Sequence, residues 1–283
     1  MTVIRLLAID IDGTLLDTRG SIPPANVEAV GRAIEAGVEV VLATGRRYDF
    51  ARAIFERLPA PLTLILSNGA IVKTRDGTTI VRHLLPREVA LDVLARTPAY
   101  RSSAAVLFDR PLEGQIVYET VEWEHPRHGA FFRSNRQFIS LVQPLERALT
   151  EDPLQVMFTG TCDDMRRLHE QLVAGATPKF ALTLTEYESR DFALVDIIRA
   201  GCSKGSALRE LARVRGIPRE HVMAIGDNLN DLPMLEFAGV PVVMSNAVNA
   251  LRQRGWAMVP SNDAAGVATA IGTYILPGAS IER

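Results

Sequence analysis

Residues 3–14 read VIRLLAIDIDGT, a nearly continuous apolar run of strand length, Val3 to Ile9, that closes in an acidic, glycine-containing loop. A run without polar alternation is what a parallel strand covered on both faces requires. Outward from it, Pro23 and Pro24 open a helix in which Val27, Val30 and Ile34 recur at helical spacing until Gly37. VEVVLA at 38–43 reads as the next strand, followed by the loop TGR at 44–46 and a helix through about Leu58. A third strand, Leu62 to Leu66, precedes SNGA at 67–70. This strand–loop–helix alternation predicts an α/β fold, a doubly wound parallel (Rossmann-like) sheet.

The texture then changes. Ile71-Val72-Lys73 and Thr79-Ile80-Val81 flank Arg75-Asp76-Gly77, the signature of a hairpin. From 84 to 190 the pattern is a helix at 86–96, short strands at 104–108, 115–119 and 139–142, a strand at 153–159, a helix at 163–173 and a strand at 180–186. After Phe192 to Ile197 the simple alternation returns: a helix at 203–215, strand Val222 to Ile225, the loop GDNLND, a helix at 231–238, strand Val240 to Met244, a helix at 247–253 and a strand at 256–259. Asp263 is expected to cap a last helix running to about Ile275. The expected organisation is an α/β core at 1–83 and 191–283, with an α+β domain inserted at 84–190.

Composition narrows the function classes. The 283 residues carry 31 basic and 33 acidic side chains, so no whole-protein field gathers nucleic acid or an anionic membrane. Cys162 and Cys202 stand far apart without a Cys-x-x-Cys, which points to a reducing compartment, the cytoplasm, and away from a thiolate metal site. No stretch has the length and apolarity of a membrane span, and the N-terminal run is too short for a signal peptide. Only Lys73, Lys179 and Lys204 are lysines, against 28 arginines. Base composition explains the bias, yet it makes each remaining lysine worth a question.

Ligands of open α/β sheets sit beyond the carboxyl ends of the strands. There the sequence offers Asp10 and Asp12, Thr44 and Arg46, then Lys204, then Asp227, Asn230 and Asp231. Carboxylates converging without cysteine or paired histidine select a hard cation such as Mg2+. With one ammonium and one hydroxyl beside them, the implied ligand is phosphate. An aspartate there can attack phosphorus, and a second one two residues on, pointing the same way in an extended segment, can serve as acid and base. These residues do not fit an EF-hand calcium loop, which needs Asp-x-Asp-x-Asp-Gly and a glutamate at its twelfth position.

DIDGTLLD at 10–17, ATGR at 43–46, SKG at 203–205 and GDNLND at 226–231 resemble, in order, the four motifs of the haloacid dehalogenase-like phosphohydrolases. SNGA at 67–70, the position of the insertion, and NDAAGVATAI at 262–271 resemble the Cof-type branch, which carries a large cap domain. The resemblance implies Asp10 as nucleophile and Asp12 as general acid and base, with Thr44 and Lys204 on phosphate. It also implies Mg2+ held by Asp10, the Asp12 carbonyl and Asp227, with Asn230 on phosphate or lysine and Asp231 supporting from behind. It implies a phosphatase rather than a dehalogenase, because Asp12 supplies the acid–base function; the expected substrate is a small phosphate monoester such as a sugar phosphate, and the expected assembly a monomer or homodimer.

Other readings stay open at this point. A phosphomutase would pass the same aspartyl-phosphate back to substrate, and a non-catalytic phospho-aspartate switch would hold it. Gly45 and Arg46 border the phosphate, Arg46 either steering it or pairing on the surface. Asn68 and Gly69 read either as a plain turn or, since their loop follows the third strand, as a border of the same pocket. WEHPRHGAFFRSNR at 123–136 is the best guess for a specificity element, while His125 and His128 do not read as metal ligands.

Overall fold

The computed structural model describes residues 3–126, 129–174, 179–187 and 191–276. They divide into two compact units, one formed by Met1–Arg82 with Ser203–Arg283 and the other by His83–Cys202. The first unit opens with β1 (Leu6–Asp10), α1 (Pro24–Glu35), β2 (Glu39–Ala43), α2 (Tyr48–Phe55), β3 (Thr63–Leu66), β4 (Ile71–Thr74) and β5 (Thr79–Arg82). The inserted unit holds α3 (Arg87–Arg96), β6 (Ala104–Leu107), β7 (Ile116–Tyr118), α4 (Gly129–Ser134), β8 (Ile139–Leu141), β9 (Gln155–Gly160), α5 (Cys162–Val173), β10 (Phe180–Tyr187) and β11 (Phe192–Arg199). The chain returns to the first unit with α6 (Lys204–Val214), β12 (Val222–Gly226), α7 (Leu232–Phe237), β13 (Val240–Met244), α8 (Asn249–Arg252), β14 (Ala257–Val259) and α9 (Gly266–Tyr274).

In the first unit the strand order is β14-β13-β12-β1-β2-β3-β4-β5. From β14 to β3 the strands are parallel. The Asp-Gly hairpin adds β4 and β5 as an antiparallel edge. One face carries Leu6, Ala8, Val41, Ala43, Ile65, Val222 and Ala224 against Leu208, Leu211, Met234 and Leu235 of α6 and α7. Leu7, Ile9, Val40, Leu42 and Leu64 alternate with these and are equally buried, so both faces are covered and the strands need no polar side. The register of these strands sets which loops meet. Asp10 lies opposite Ala43, Ile9 opposite Ile225 and Ala43 opposite Ile65. Asp10, Thr44, Asp227 and Ser67 are therefore brought to the same edge, with neighbouring strands about 4.8 Å apart.

The inserted unit is built on a sheet of order β10-β11-β9-β6-β7-β8, antiparallel except where β7 meets β8. Its main core joins Val89, Val93 and Leu94 of α3 and Met165, Leu168 and Leu172 of α5 to Val106, Val156, Phe158, Val195 and Ile197 of the sheet. On the other face Tyr118 and Phe132 meet edge to face at 5.6 Å.

Two expectations are corrected here. The boundary at 191 falls too early: β11 pairs along its whole length with β10 and also with β9, so the unit ends at Cys202. An apolar run such as FALVDII looks the same whichever sheet receives it, because periodicity records burial and not partner. Asp263 does not cap the last helix, which starts at Gly266 after Ala265. Its carboxylate instead accepts hydrogen bonds from the backbone N–H and hydroxyl of Thr18, 245 residues away in sequence.

Candidate active site

Asp10 ends β1 and is buried, with a lysine against it. Lys204 is the first residue of α6, whose start is set by a reciprocal cap: the Ser203 hydroxyl accepts from the Ser206 N–H, and the Ser206 hydroxyl accepts from the Ser203 N–H. Lys204 is 1% exposed, and its Nζ donates to Asp10 Oδ1 at 2.5 Å and to Asp231 Oδ1 at 2.6 Å. The second oxygen of Asp231 accepts from the backbone N–H groups of Asp227 and Asn228, both at 3.0 Å. Asp231 is thus fully engaged and anchors the lysine and the loop after β12 at once.

Asp227 follows β12 and receives the Thr14 hydroxyl on Oδ1 at 2.9 Å. Ligand oxygens of Asp10, Asp227 and Asp231 lie within 4.8 Å of one another. Gly13, with φ +86°, passes so close that a Cβ there would stand 2.4 Å from Asp227 Oδ2, so a side chain would strain the backbone and push the Asp227 carboxylate aside. Burial and the neighbouring carboxylates, Asp231 foremost, push the Asp10 carboxyl well above its usual range against the pull of Lys204. Burial and Asp231 likewise push Asp227 up to about 7, although Thr14 opposes this. Burial alone would lower Lys204, but Asp10 and Asp231 raise it, and it stays an ammonium.

Three carboxylates against one ammonium leave an excess of buried negative charge, and with Asp231 saturated it is Asp10 and Asp227 that face it. Their hard oxygen donors suit a small dication, so the residues present fit Mg2+.

A second group lies beside the first. Arg46 sets its Nε 2.7 Å from Asp12 Oδ2 and its Nη2 2.6 Å from Asp12 Oδ1, a two-point fork. Thr44 accepts the Arg46 N–H on its hydroxyl oxygen at 3.1 Å, which leaves the hydroxyl proton to donate elsewhere. Ser67, Asn68 and Gly69 all have positive φ and form a tight turn after β3. It fastens the loops at this strand edge together: Asn68 N–H donates to the Thr44 carbonyl, Ser67 N–H to the Arg46 carbonyl, and Asn230 Nδ2 to Asn68 Oδ1 at 3.2 Å. At Gly69 a Cβ would fall 2.1 Å from the Ser203 carbonyl oxygen, so the turn also abuts the start of α6.

A family model described as haloacid dehalogenase-like hydrolase matches residues 7–271. The chain belongs to the haloacid dehalogenase-like hydrolases. It is 29% identical over 286 residues to the pyridoxal phosphate phosphatase YbhA of Escherichia coli (strain K12), covering 96% of this chain and 99% of that one. It is 31% identical over 248 residues to the HMP-PP phosphatase of Serratia proteamaculans (strain 568), covering 88% and 86%. Among solved structures, a haloacid dehalogenase-like hydrolase from Bacteroides thetaiotaomicron superposes with a TM-score of 0.79 at 25% identity, over 95% of this chain and 99% of that one.

Within this hydrolase the expected residues fall into linked sets. Asp10, Lys204, Asp231 and Asp227 form one chain of contacts; Asp12, Arg46, Thr44, Asn68 and Asn230 form another, with the Gly45 Cα facing the Asn68 amide. Arg46 has its guanidinium on Asp12, with both side chains about three-quarters buried. Among the described residues no histidine belongs to the carboxylate cluster. His128 lies outside the described residues, and part of 123–136 forms α4, with Arg133 on Glu124 and Arg136 over the Trp123 ring.

Sequence reasoning missed the residues that hold the loop after Asp10. Asn246 Nδ2 donates to the Gly13 carbonyl, Asn26 Nδ2 to that of Leu15 and Asn262 Nδ2 to that of Leu16. Side-chain amides from three distant segments thus satisfy carbonyls that lie outside any strand ladder or helix. The available signal is asparagine beside strand and helix ends, a pattern that occurs in many turns. Thr14 has no distinguishing local signature either, yet its hydroxyl serves Asp227.

Proposed function

We propose that this hydrolase is a Mg2+-dependent phosphatase of small phosphate monoesters, sugar phosphates among them, working through an aspartyl-phosphate on Asp10. One observation carries the reading: a fully buried lysine ties Asp10 to Asp231, while Asp227 stands at the same strand edge with the Thr14 hydroxyl and no ion pair among the described residues. The substrates in the names of the two relatives are likewise small phosphorylated molecules. No described helix is long and apolar enough to cross a membrane. Both cysteines are buried thiols, which suits the reducing cytoplasm.

Asp10, Asp227 and the backbone carbonyl of Asp12 would hold the metal, which when bound offsets the phosphate charge that otherwise repels the Asp10 carboxylate. Lys204 fixes one oxygen of Asp10 and so orients the carboxylate. A carboxylate oxygen of Asp10 bonds to phosphorus as the ester P–O bond breaks, and Asp12, protonated on an oxygen released from the Arg46 fork, gives that proton to the leaving oxygen. Water then attacks the phosphorus of phospho-Asp10, Asp12 takes a proton from that water, and the P–O bond to Asp10 breaks to release inorganic phosphate. Thr44, through its uncommitted proton, and Asn230 grip the phosphoryl oxygens while this happens.

The test is phosphate release from a panel of sugar phosphates, pyridoxal phosphate and nucleotides, with and without Mg2+. Wild-type protein should turn over at least one ester only with Mg2+, and Asp10→Asn should turn over none. Turnover that persists in Asp10→Asn would remove Asp10 from the nucleophile's role.

A further inference from the structure

The geometry points to Arg46 as a positioning residue for Asp12, a role distinct from phosphate binding; the inference rests on the acid–base role assigned to Asp12 above. Asp12 lies beyond the end of β1, where its backbone makes an isolated bridge to Leu16, and its side chain is 24% exposed, so the direction of its carboxylate oxygens is left to a side-chain partner. The Arg46 fork supplies that constraint, engaging both oxygens of Asp12 at 2.6 and 2.7 Å. A planar guanidinium meeting a carboxylate at two points sets both its place and its plane, which a single ammonium cannot do.

Arg46 is itself restrained from three directions. Its guanidinium carbon lies 4.4 Å from the centre of the Phe50 ring, one turn further along the chain on α2. Its N–H donates to the Thr44 hydroxyl oxygen, and its carbonyl accepts the Ser67 N–H. The residue thus couples the position of the acid–base group to that of Thr44, the proposed phosphate grip, through one residue of backbone. A proton donor displaced by about 1 Å loses on the order of a hundredfold in rate. An arginine engaged on Asp12 contributes to kcat and little to phosphate affinity.

Leaving groups separate the two roles. Alkyl phosphates need a proton on the departing oxygen, whereas p-nitrophenolate leaves without one; water attack in the second step needs Asp12 in both cases. Arg46→Ala should lower kcat for an alkyl phosphate on the order of a hundredfold, with KM and the affinity for inorganic phosphate close to those of wild type. With p-nitrophenyl phosphate the same variant should release a burst of nitrophenolate equal to the enzyme concentration, followed by slow turnover. Guanidinium ion added to Arg46→Ala should recover part of kcat, and Arg46→Lys should not restore it.

A loss of phosphate affinity with kcat unchanged, or equal losses on alkyl and aryl esters without a burst, would make Arg46 a phosphate ligand and overturn the inference. Phosphate affinity is read by calorimetry without turnover, in Arg46→Ala and Arg46→Lys alike. A wild-type protein lacking Asp10-dependent turnover therefore counts against the proposed function, while weakened phosphate binding in both variants counts against Arg46 as a positioning residue.

Discussion

At the scale of single residues the site is an electrostatic problem solved in part by Lys204. A buried carboxylate without a partner is costly, and three at one strand edge repel one another. The lysine offsets Asp10 and Asp231, and two backbone N–H groups complete Asp231, whereas Asp227 takes the Thr14 hydroxyl and no cation among the described residues. Removing that buried carboxylate, which burial and Asp231 disfavour, should relieve the fold while destroying the metal site. Asp227→Asn, which can still accept from Thr14, should melt at or above the wild-type temperature in chelator. Wild-type protein should gain several degrees when Mg2+ is added, since a ligand at about a hundred times its Kd contributes about 2.7 kcal/mol. Asp227→Asn should gain none in calorimetry. A Mg2+-dependent shift that survives in the variant would place the ion elsewhere.

At the scale of elements, the start of α6 decides where Lys204 stands. The Ser203–Ser206 reciprocal cap closes the first turn, and Lys204 is its first helical residue. Ser203→Ala should therefore cost about 1 kcal/mol of stability in urea titration and also slow turnover, because the lysine loses its fixed origin. Thr161→Ala removes the corresponding cap of α5 in the inserted unit, where the Thr161 hydroxyl accepts the Asp164 N–H. It should cost a similar amount of stability. Equal stability losses with kcat reduced only in Ser203→Ala would tie the cap to the site; unchanged kcat in Ser203→Ala would show that Asp10 and Asp231 hold the lysine unaided.

At the scale of the whole molecule, the two units differ in how their chain is supplied. The inserted unit is one continuous segment, His83–Cys202, with its own core around Val106, Val156, Phe158 and Leu168. The first unit is discontinuous, and its central strand β1 pairs with β2 from the same segment and with β12 from beyond the insertion. Residues 83–202 expressed alone should give a cooperative thermal transition and near-native circular dichroism. Residues 1–82 alone should not, because β1 would present an unpaired edge and half of its apolar cover would be missing. Cooperative unfolding of 1–82 would contradict the pairing on which the site depends.

Much was legible in local sequence. An apolar run ending in Asp-x-Asp-Gly and repeated strand–helix alternation were enough for the fold class, because burial leaves periodic traces, and the loops after the strands singled out Asp10, Asp12, Thr44, Lys204 and Asp227 as candidates. What tertiary structure decided is who meets whom. That β11 belongs to the inserted sheet, that Arg46 grips Asp12, that Thr14 serves Asp227, and that Asn26, Asn246, Asn262 and Asp263 hold the loop after Asp10 are all pairings between residues far apart in the chain or without a local signature. Periodicity records how much of a residue is buried; only the folded chain fixes the partner that satisfies its polar atoms.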